Sequence, residues 1–353
     1  MGDTSVGRLV SRIERAILSR VTPAAIIEVG RADEVLWSRA FGRLTYDADA
    51  APCRPDTVFD LASLTKVLVT VPLVMRALTA NHLSLATPVA ALVPSWRGAD
   101  RAGVTVGHLL DHSSGLPAHD RLWARLATPD EVEPAIATLP LTHPPGARAV
   151  YSDLGFILLG RALERLGGGA LPVLFEALGW PRGLALGFVP AMVDWPAIAP
   201  TEFDTWRGRW LQGEVHDENT ALLGGVAGHA GLFGTAAAVG VYARLVLETF
   251  RRRTALGDPA QIATMAARSV VPGSSRALGW DTMLPTSSCG TRMSARAIGH
   301  TGYTGTSLWI DPGHEAYVVL LTNRVHPTRE GSGIQALRAD VHDLAMETFF
   351  GVG

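Results

Sequence analysis

Hydrophobic residues follow two different spacings along this chain of 353 residues. Near both ends they form short runs rich in β-branched and aromatic residues, which are typical of buried strands. These runs are residues 24–29 and 35–40 near the start, and 297–303, 306–311 and 316–322 near the end. Short turns separate 24–29 from 35–40 and 306–311 from 316–322. We therefore predict one mostly antiparallel sheet that is built from the two ends of the chain.

The middle of the chain shows helical spacing instead. Apolar residues recur there at intervals of three and four, which predicts helices over 63–78, 106–110, 153–166, 170–178 and 236–250. Amphipathic helices are also predicted at the start (Leu9, Ile13, Ala16, Ile17) and at the end (Ile334, Leu337, Val341, Leu344). The pattern predicts an α/β (α+β) protein with a sheet domain formed by 1–66 and 270–353. Residues 67–269 would form a mainly helical domain.

Composition narrows the class of protein. Hydrophobic residues make up 47% and charged residues 18%, which is enough apolar material for a well-packed core. The net charge of −2 and the lack of a basic stripe argue against a nucleic-acid partner. The longest apolar run, 67–75, is too short to cross a bilayer, so no membrane partner is expected. Cys53 and Cys289 have no metal-binding spacing and are expected to be free thiols.

The first residues show no charged start followed by an apolar signal stretch. This favours a cytoplasmic protein, or a periplasmic or secreted one whose leader was removed. The sequence leaves the oligomeric state open.

Lys66 is the only lysine in the chain, whose other positively charged residues are arginines. Arginine keeps its proton in proteins whereas a buried lysine can lose one, so Lys66 is a candidate for chemistry. It lies three residues after Ser63, and residues at that spacing share one face of a helix. Neutrality at pH 7 requires a pKa lower by about 3.4 units, or about 4.6 kcal/mol, which burial can supply. We therefore expect Lys66 to be held without its proton and to prime the Ser63 hydroxyl.

Two further short motifs carry candidate chemistry. Tyr151-Ser152-Asp153 follows a Pro- and Gly-containing turn and opens a predicted helix, and His300-Thr301-Gly302 ends a predicted strand and continues into Tyr303. Acyl transfer to a serine needs a nucleophile, a base, an acid for the leaving group and hydrogen-bond donors for the oxyanion. Together with Ser63 and Lys66, these motifs contain groups suited to each task.

The three motifs, in this order and at these distances, resemble those of the penicillin-binding protein and class C β-lactamase superfamily of serine hydrolases. That superfamily includes D-alanyl-D-alanine carboxypeptidases and related esterases. Segments 108–117, 224–233 and 299–328 are similar to the family as well, so the resemblance covers nearly the whole chain. It implies a β-lactamase/transpeptidase-like fold, with an antiparallel sheet flanked by helices, a mainly helical domain and the active site at the junction of the two domains. It implies neither a metal nor another cofactor.

The resemblance also implies a role for each motif residue. Ser63 would be the nucleophile, Lys66 would help to deprotonate it, and Tyr151 would shuttle the proton as base and then as acid. His300, Thr301 and Gly302 would form the strand edge against which the substrate lies. The backbone N–H groups of Ser63 and Tyr303 would form the oxyanion hole, and an acyl-enzyme on Ser63 would then be hydrolysed by water.

Two positions depart from the family pattern. Asp153 stands where the family usually has Asn, and an ionised carboxylate cannot donate a hydrogen bond to a substrate carbonyl. It would also favour the ammonium form of Lys66 and move the role of base towards Tyr151. A plain helix cap is the alternative reading of Asp153. His300 stands where many β-lactamases have Lys, and a mostly neutral imidazole offers less positive potential to a substrate carboxylate.

Weaker candidates lie outside the motifs. His216 and Asp217 begin a segment that is expected to line the cleft, and with His229 they form an alternative metal-site hypothesis, although their spacing matches no common zinc site. Arg292 could hold a substrate carboxylate, or could simply be a surface arginine. Trp206, Trp210 and Trp309 could wall the pocket, although core packing explains them equally well.

We therefore predict a serine hydrolase that acts on carboxylic esters or amides, with small-molecule ester, amide or β-lactam substrates. The alternatives are a weak class C-like β-lactamase or D,D-carboxypeptidase, a penicillin sensor that stays acylated, and a metal-dependent hydrolase that uses His216, Asp217 and His229.

Overall fold

Both ends of the chain contribute strands to the largest sheet. The computed structural model describes residues 2–181, 183–188 and 198–353. Its strands are β1 (Ala24–Gly30), β2 (Val35–Gly42), β3 (Phe59–Asp60), β4 (Leu186–Phe188), β5 (Phe203–Asp204), β6 (Arg209–Trp210), β7 (Leu232–Gly234), β8 (Asp281–Thr282), β9 (Ile298–Thr301), β10 (Ser307–Asp311) and β11 (Ala316–Thr322). The largest sheet has the order β2-β1-β11-β10-β9-β8, and all of its neighbours are antiparallel. This confirms the predicted antiparallel sheet, to which the unpredicted β8 adds one edge.

The helices fill the rest of the chain. They are α1 (Gly2–Leu18), α2 (Val71–Thr79), α3 (Val89–Leu92), α4 (Val106–Leu110), α5 (Val132–Thr138), α6 (Asp153–Gly167), α7 (Leu171–Glu176), α8 (Glu218–Leu222), α9 (Ala236–Thr249), α10 (Pro259–Ala266) and α11 (Ile334–Phe350). The predicted helices over 106–110, 153–166, 170–178 and 236–250 and at both termini are confirmed, with small shifts of their ends. The predicted fold class is confirmed with them.

The two faces of the central strands supply two different cores. Every residue of β1 and β11 is buried, because helices cover both faces of the sheet. Ile26 of β1 and Val319 of β11 point into the core that contains α2, α6 and α9, whereas Ile27 and Leu320 point into the core formed with α1 and α11. The strict alternation of side chains along a strand produces this division. The sheet is therefore held rigidly, and its strand β9 has a fixed position.

The predicted division into two domains remains a prediction. Helices α2 to α7 lie within the predicted helical segment 67–269. Helix α9 belongs to the same segment by sequence but packs on β11, β1 and β10 of the sheet. Residues 182 and 189–197 of that segment lie outside the described residues.

Two simpler expectations can be compared with the structure. Cys53 and Cys289 are free and buried, as predicted. Within the described ranges, no helix has both the length and the apolar character that crossing a bilayer would require.

Candidate active site

Ser63 follows a constrained turn between β3 and the helix that contains Lys66. Ala62, directly before Ser63, has a positive φ of 47°, a conformation that costs free energy for a residue with a β-carbon. The buried Asp60 stabilises this turn, because its Oδ1 accepts the Ala62 N–H at 2.8 Å and its Oδ2 accepts the His216 N–H at 2.7 Å. Asp60 therefore fixes the direction in which Ser63 leaves the strand.

The helix that follows Ser63 is not a regular α-helix along its whole length. Residues Lys66–Thr70 form a π-helical turn before α2 begins at Val71, whereas the sequence predicts one helix over 63–78. Such single π-turns often lie at functional sites. Here the wider turn is fully buried and starts at Lys66.

The Lys66 amine lies at the centre of a compact polar cluster. Its Nζ is 2.9 Å from Ser63 Oγ, 2.7 Å from the Tyr151 hydroxyl and 2.7 Å from Asp153 Oδ1. It also reaches the backbone oxygen of His229 at 3.3 Å. The Tyr151 hydroxyl is itself 2.9 Å from Ser63 Oγ, which closes a triangle of serine, lysine and tyrosine. The predicted meeting of Ser63 with Lys66 across one helical turn is confirmed by these distances.

The protonation of Lys66 differs from the expectation. Burial lowers the pKa of this fully buried amine, but the adjacent Asp153 carboxylate and Tyr151 raise it by more, so that its pKa lies above the ordinary value of 10.5. The prediction that the surroundings strip Lys66 of its proton is therefore wrong for the resting protein. The secondary expectation, that Asp153 favours the ammonium, is confirmed. All four neighbouring atoms can accept a hydrogen bond, which suits an ammonium with three donors.

Tyr151 keeps its proton in the same resting state. Burial raises the pKa of its hydroxyl, and this effect outweighs the lowering by Lys66. Its ring packs on His112, with centroids 4.7 Å apart, and on His300, with centroids 5.7 Å apart. Burial lowers the pKa of both imidazoles well below 6.5. The Tyr151 ring is thus bounded by two neutral imidazoles and by the Arg276 guanidinium, 4.9 Å from its centroid, and Lys66 is the cation that contacts its oxygen.

Strand β9 and the turn after it form the opposite side of the site. Gly302 is required there, because an added β-carbon would lie 2.1 Å from Thr306 Oγ1 and 2.7 Å from the Leu61 oxygen. Within the part of the chain that the structure describes, no hydrogen-bond acceptor is found for the backbone N–H groups of Ser63 and Tyr303. Such unpaired donors beside a serine are what an oxyanion site needs.

These groups line one cavity of about 420 Å³. Ser63, Tyr151, Asp153, His300, Thr301, Gly302 and Tyr303 are all on its wall, and Lys66 is buried beneath Ser63 with no exposed surface. Sequence reasoning missed the three arginines that also line the cavity, Arg276, Arg324 and Arg338. No local pattern marks them among the other arginines of the chain.

Arg338 connects α11 to the turn after β9. Its Nη2 donates to the Gly302 oxygen at 2.6 Å and to the Thr306 oxygen at 2.9 Å. Burial and the nearby Arg324 lower its pKa to about 9, so it remains a cation at neutral pH. The cavity therefore has a positive wall opposite the Ser63 cluster.

His216 and Asp217, two of the weaker candidates, lie outside this cavity wall. His216 is buried behind Tyr303, with ring centroids 5.6 Å apart, and its Nε2 is 2.9 Å from Glu202. Asp217 caps α8 and its Oδ1 is 2.9 Å from His229 Nε2. The expectation that His216 and Asp217 line the cleft is corrected accordingly, since their side chains bind partners one layer behind it.

Arg292 is placed elsewhere as well. Its guanidinium is 3.3 Å from Glu347 of α11, and Arg276, Arg324 and Arg338 take the positions that were expected of it. For the metal hypothesis, no group of three or more His, Cys, Asp or Glu side chains suited to a metal ion occurs among the residues that the structure describes.

Comparison with known proteins identifies the family. The sequence model of the family described as Beta-lactamase matches residues 10–343. This chain therefore belongs to the beta-lactamase family. It is 30% identical to the N-acetylmuramyl-L-alanine amidase of Bacillus subtilis (strain 168), over 89% of this chain and 80% of that protein. It is 28% identical to an Escherichia coli (strain K12) protein named as a candidate D-alanyl-D-alanine carboxypeptidase, over 86% of this chain and 79% of that one.

Solved structures show the same fold. EstCE1, described as a hydrolase with promiscuous acyltransferase activity, superimposes with a TM-score of 0.76 at 23% identity, over 98% of this chain and 99% of that one. The octameric penicillin-binding protein homologue from Pyrococcus abyssi has a TM-score of 0.75 at 22% identity, over 97% of this chain and 77% of that one. The predicted resemblance to the β-lactamase and penicillin-binding protein superfamily is confirmed, and the amidase, the carboxypeptidase and EstCE1 have the names of hydrolases.

Proposed function

We propose that this protein is a serine hydrolase of carboxylic esters or amides that forms an acyl-enzyme on Ser63. The observation that carries the proposal is the position of Ser63 Oγ, 2.9 Å from both Lys66 Nζ and the Tyr151 hydroxyl, on the wall of a cavity. A nucleophile with two proton-handling groups in hydrogen-bond reach is the arrangement that nucleophilic catalysis requires.

The pKa directions support the following order of proton transfers. Because Lys66 and Tyr151 both keep their protons at rest, the pair must lose one proton before attack. The Tyr151 oxygen, held 2.7 Å from the Lys66 ammonium, then takes the Ser63 proton while Oγ bonds to the substrate carbonyl carbon. The N–H groups of Ser63 and Tyr303 stabilise the oxyanion. Tyr151 next gives its proton to the leaving oxygen or nitrogen as that bond breaks.

Water completes the cycle by the same route in reverse. It loses a proton to Tyr151, attacks the acyl carbon and releases the carboxylic acid, and Ser63 recovers its proton from Tyr151. The Lys66 ammonium keeps its charge beside the phenolic oxygen throughout, so its role is electrostatic.

Asp153 and His300 limit the substrates. The carboxylate of Asp153 is committed to Lys66 at 2.7 Å and cannot donate to a substrate carbonyl while ionised. His300 is neutral and buried, and its Nδ1 is 2.9 Å from the Thr301 oxygen. We therefore place simple esters and peptide-like amides ahead of β-lactams. The names of the Bacillus and Escherichia relatives make cell-wall amides the natural amide substrates to test.

A panel of substrates tests the proposal. Nitrophenyl esters, nitrocefin, an N-acetylmuramyl-L-alanine amide and a D-Ala-D-Ala peptide would be followed with the parent protein and with Ser63→Ala. We expect ester and amide turnover in the parent and a loss of at least about 10³-fold in Ser63→Ala. Ser84→Ala is the matched control, because Ser84 is exposed and, among the described residues, its hydroxyl hydrogen-bonds only with the nearby Thr87, at 3.2 Å.

Each alternative predicts a different result. A sensor would keep the acyl group without releasing product. A metal-dependent hydrolase would lose its activity in EDTA and keep it in Ser63→Ala, which would refute the serine mechanism.

A further inference from the structure

A second cavity of about 460 Å³ opens beside the one that contains Ser63. His119 and Arg329 line it. The His119 Nδ1 lies 4.0 Å from Asp153 Oδ2, and the Arg329 guanidinium carbon lies 6.0 Å from the ring centroid of Tyr303. Asp153 and Tyr303 belong to the wall of the first cavity. A substrate with its carbonyl at Ser63 can therefore extend past these side chains into the second cavity.

Aromatic rings form one wall of the second cavity. Trp123, Phe203 and Trp206 line it, and the ring centroids of Trp123 and Trp206 are 5.2 Å apart at an angle of 49°. Trp206 is 42% exposed and Phe203 is 45% exposed. A group of large aromatic side chains exposed side by side often marks a surface that binds a ligand or another protein.

The position of Trp123 is fixed by the structure around it. Its backbone N–H donates to Asn219 Oδ1 at 3.2 Å, and Asn219 Nδ2 donates to the Asp120 oxygen at 2.9 Å. The Arg121 guanidinium lies over the indole at 4.7 Å from its centroid. Trp123 is thus held in place before any ligand arrives, which lowers the entropic cost of binding.

Polar groups form the other side. His119, Thr205 and Glu330 line this cavity and are exposed, so an imidazole, a hydroxyl and a carboxylate face the same space as the aromatic rings. Deeper in the wall, Glu202 and Glu218 are paired with Arg329. An aliphatic or aromatic acyl group would leave these polar groups without partners. A pyranose ring has an apolar C–H face and an edge of hydroxyl groups, which matches both sides of the cavity.

We propose that the second cavity binds a pyranose ring of the substrate, stacked on Trp206 and Trp123 with its hydroxyl groups towards His119, Thr205 and Glu330. The assignment of that ring to the substrate rests on the function proposed above, because it requires the scissile carbonyl to lie at Ser63. The binding of the sugar does not depend on catalysis and can be measured alone.

The test uses the full-length Ser63→Ala protein, which separates binding from turnover. N-acetylmuramic acid and N-acetylglucosamine are the probes, and sorbitol is a linear polyol with hydroxyl groups but no ring. Saturation-transfer NMR is expected to show contact with both sugars and none with sorbitol. Adding Trp206→Ala should weaken sugar binding about tenfold, the loss of one well-stacked aromatic contact. Trp206→Phe should retain part of it.

Trp37→Ala is the matched control in the same background. Trp37 lies on β2, at the edge of the sheet opposite β9 and β8, where its ring packs on Phe349, so sugar binding should be unchanged. The proposal is overturned if neither sugar binds, or if binding survives in both Trp206→Ala and Trp123→Ala. It is equally overturned if octanoate or benzoate binds at this cavity and the sugars do not. Circular dichroism verifies that each variant is folded. Loss of ester hydrolysis in Ser63→Ala is a separate result, so failure of the sugar site and failure of the serine mechanism are distinguishable.

Discussion

Replacing Asp153 by Asn removes the negative charge beside Lys66 and so tests the electrostatic interaction between these two residues. The Lys66 side chain is fully buried, and Asp153 Oδ1 lies 2.7 Å from its Nζ with only 19% of the Asp153 side chain exposed. At an effective dielectric constant of about 20, the gross attraction of two unit charges at that separation is about 6 kcal/mol. Desolvation offsets part of it, and breaking a buried pair typically costs about 3–5 kcal/mol.

We expect the free energy of unfolding of Asp153→Asn at pH 7 to fall by about 3 kcal/mol, the lower end of that range, because the Asn oxygen can still accept from Lys66. Urea unfolding measures this change. The pKa of Lys66 is raised above 10.5 in the folded protein. Its contribution to stability is therefore complete below 10.5 and is lost as the pH rises through the folded pKa. The difference between parent and variant should shrink at strongly alkaline pH.

The same substitution should change the pH dependence of ester hydrolysis. The Asp153 carboxylate raises the pKa of Tyr151 as well as that of Lys66, so without it the Tyr151 hydroxyl loses its proton more easily. The alkaline-rising limb of kcat/KM should move to lower pH. Asp340→Asn is the control, since Asp340 forms an exposed pair with Arg12 at 2.7 Å and should cost no more than about 1 kcal/mol. An unchanged pH profile together with an unchanged stability would refute the reasoning.

The remaining predictions concern single groups around Ser63. Tyr151→Phe removes the proton carrier and should lower kcat for nitrophenyl esters by about 10²–10⁴-fold with a smaller change in KM; a loss below tenfold would contradict its role. Gly302→Ala puts a β-carbon 2.1 Å from Thr306 Oγ1. It should lower the free energy of unfolding, measured in urea, by about 1–3 kcal/mol, and it should also lower kcat. Full activity would contradict the need for glycine. Asp153→Asn should acylate faster with nitrocefin in stopped-flow measurements, because the amide can donate to the substrate carbonyl, and equal or slower acylation would contradict this.

The sequence predicted the members of the Ser63 cluster for a clear physical reason. Ser63 and Lys66 are neighbours across one helical turn, so local spacing alone brings their side chains together. Tyr151 and Asp153 are far away in sequence and were found through the resemblance. The antiparallel sheet also followed from local patterns, because β1, β10 and β11 are short runs that consist mainly of apolar residues.

Other features could not be read from local patterns. Asp60 and Arg338 act through contacts with Ala62 and Gly302 that exist only in the folded chain. The π-turn at Lys66 depends on its surroundings rather than on helix propensity. The charge of Lys66 is the sum of a burial effect and an ion-pair effect of opposite sign, and only the observed 2.7 Å contact decides which is larger.

Mass spectrometry of the intact protein after rapid acid quenching measures the central claim directly. A nitrophenyl ester mixed with the protein should add the mass of its acyl group during turnover, and peptide mapping should locate that group on Ser63. The adduct should be absent in Ser63→Ala and should decay once the ester is consumed. Turnover of the ester without any adduct, or with an adduct on a residue other than Ser63, would contradict the account.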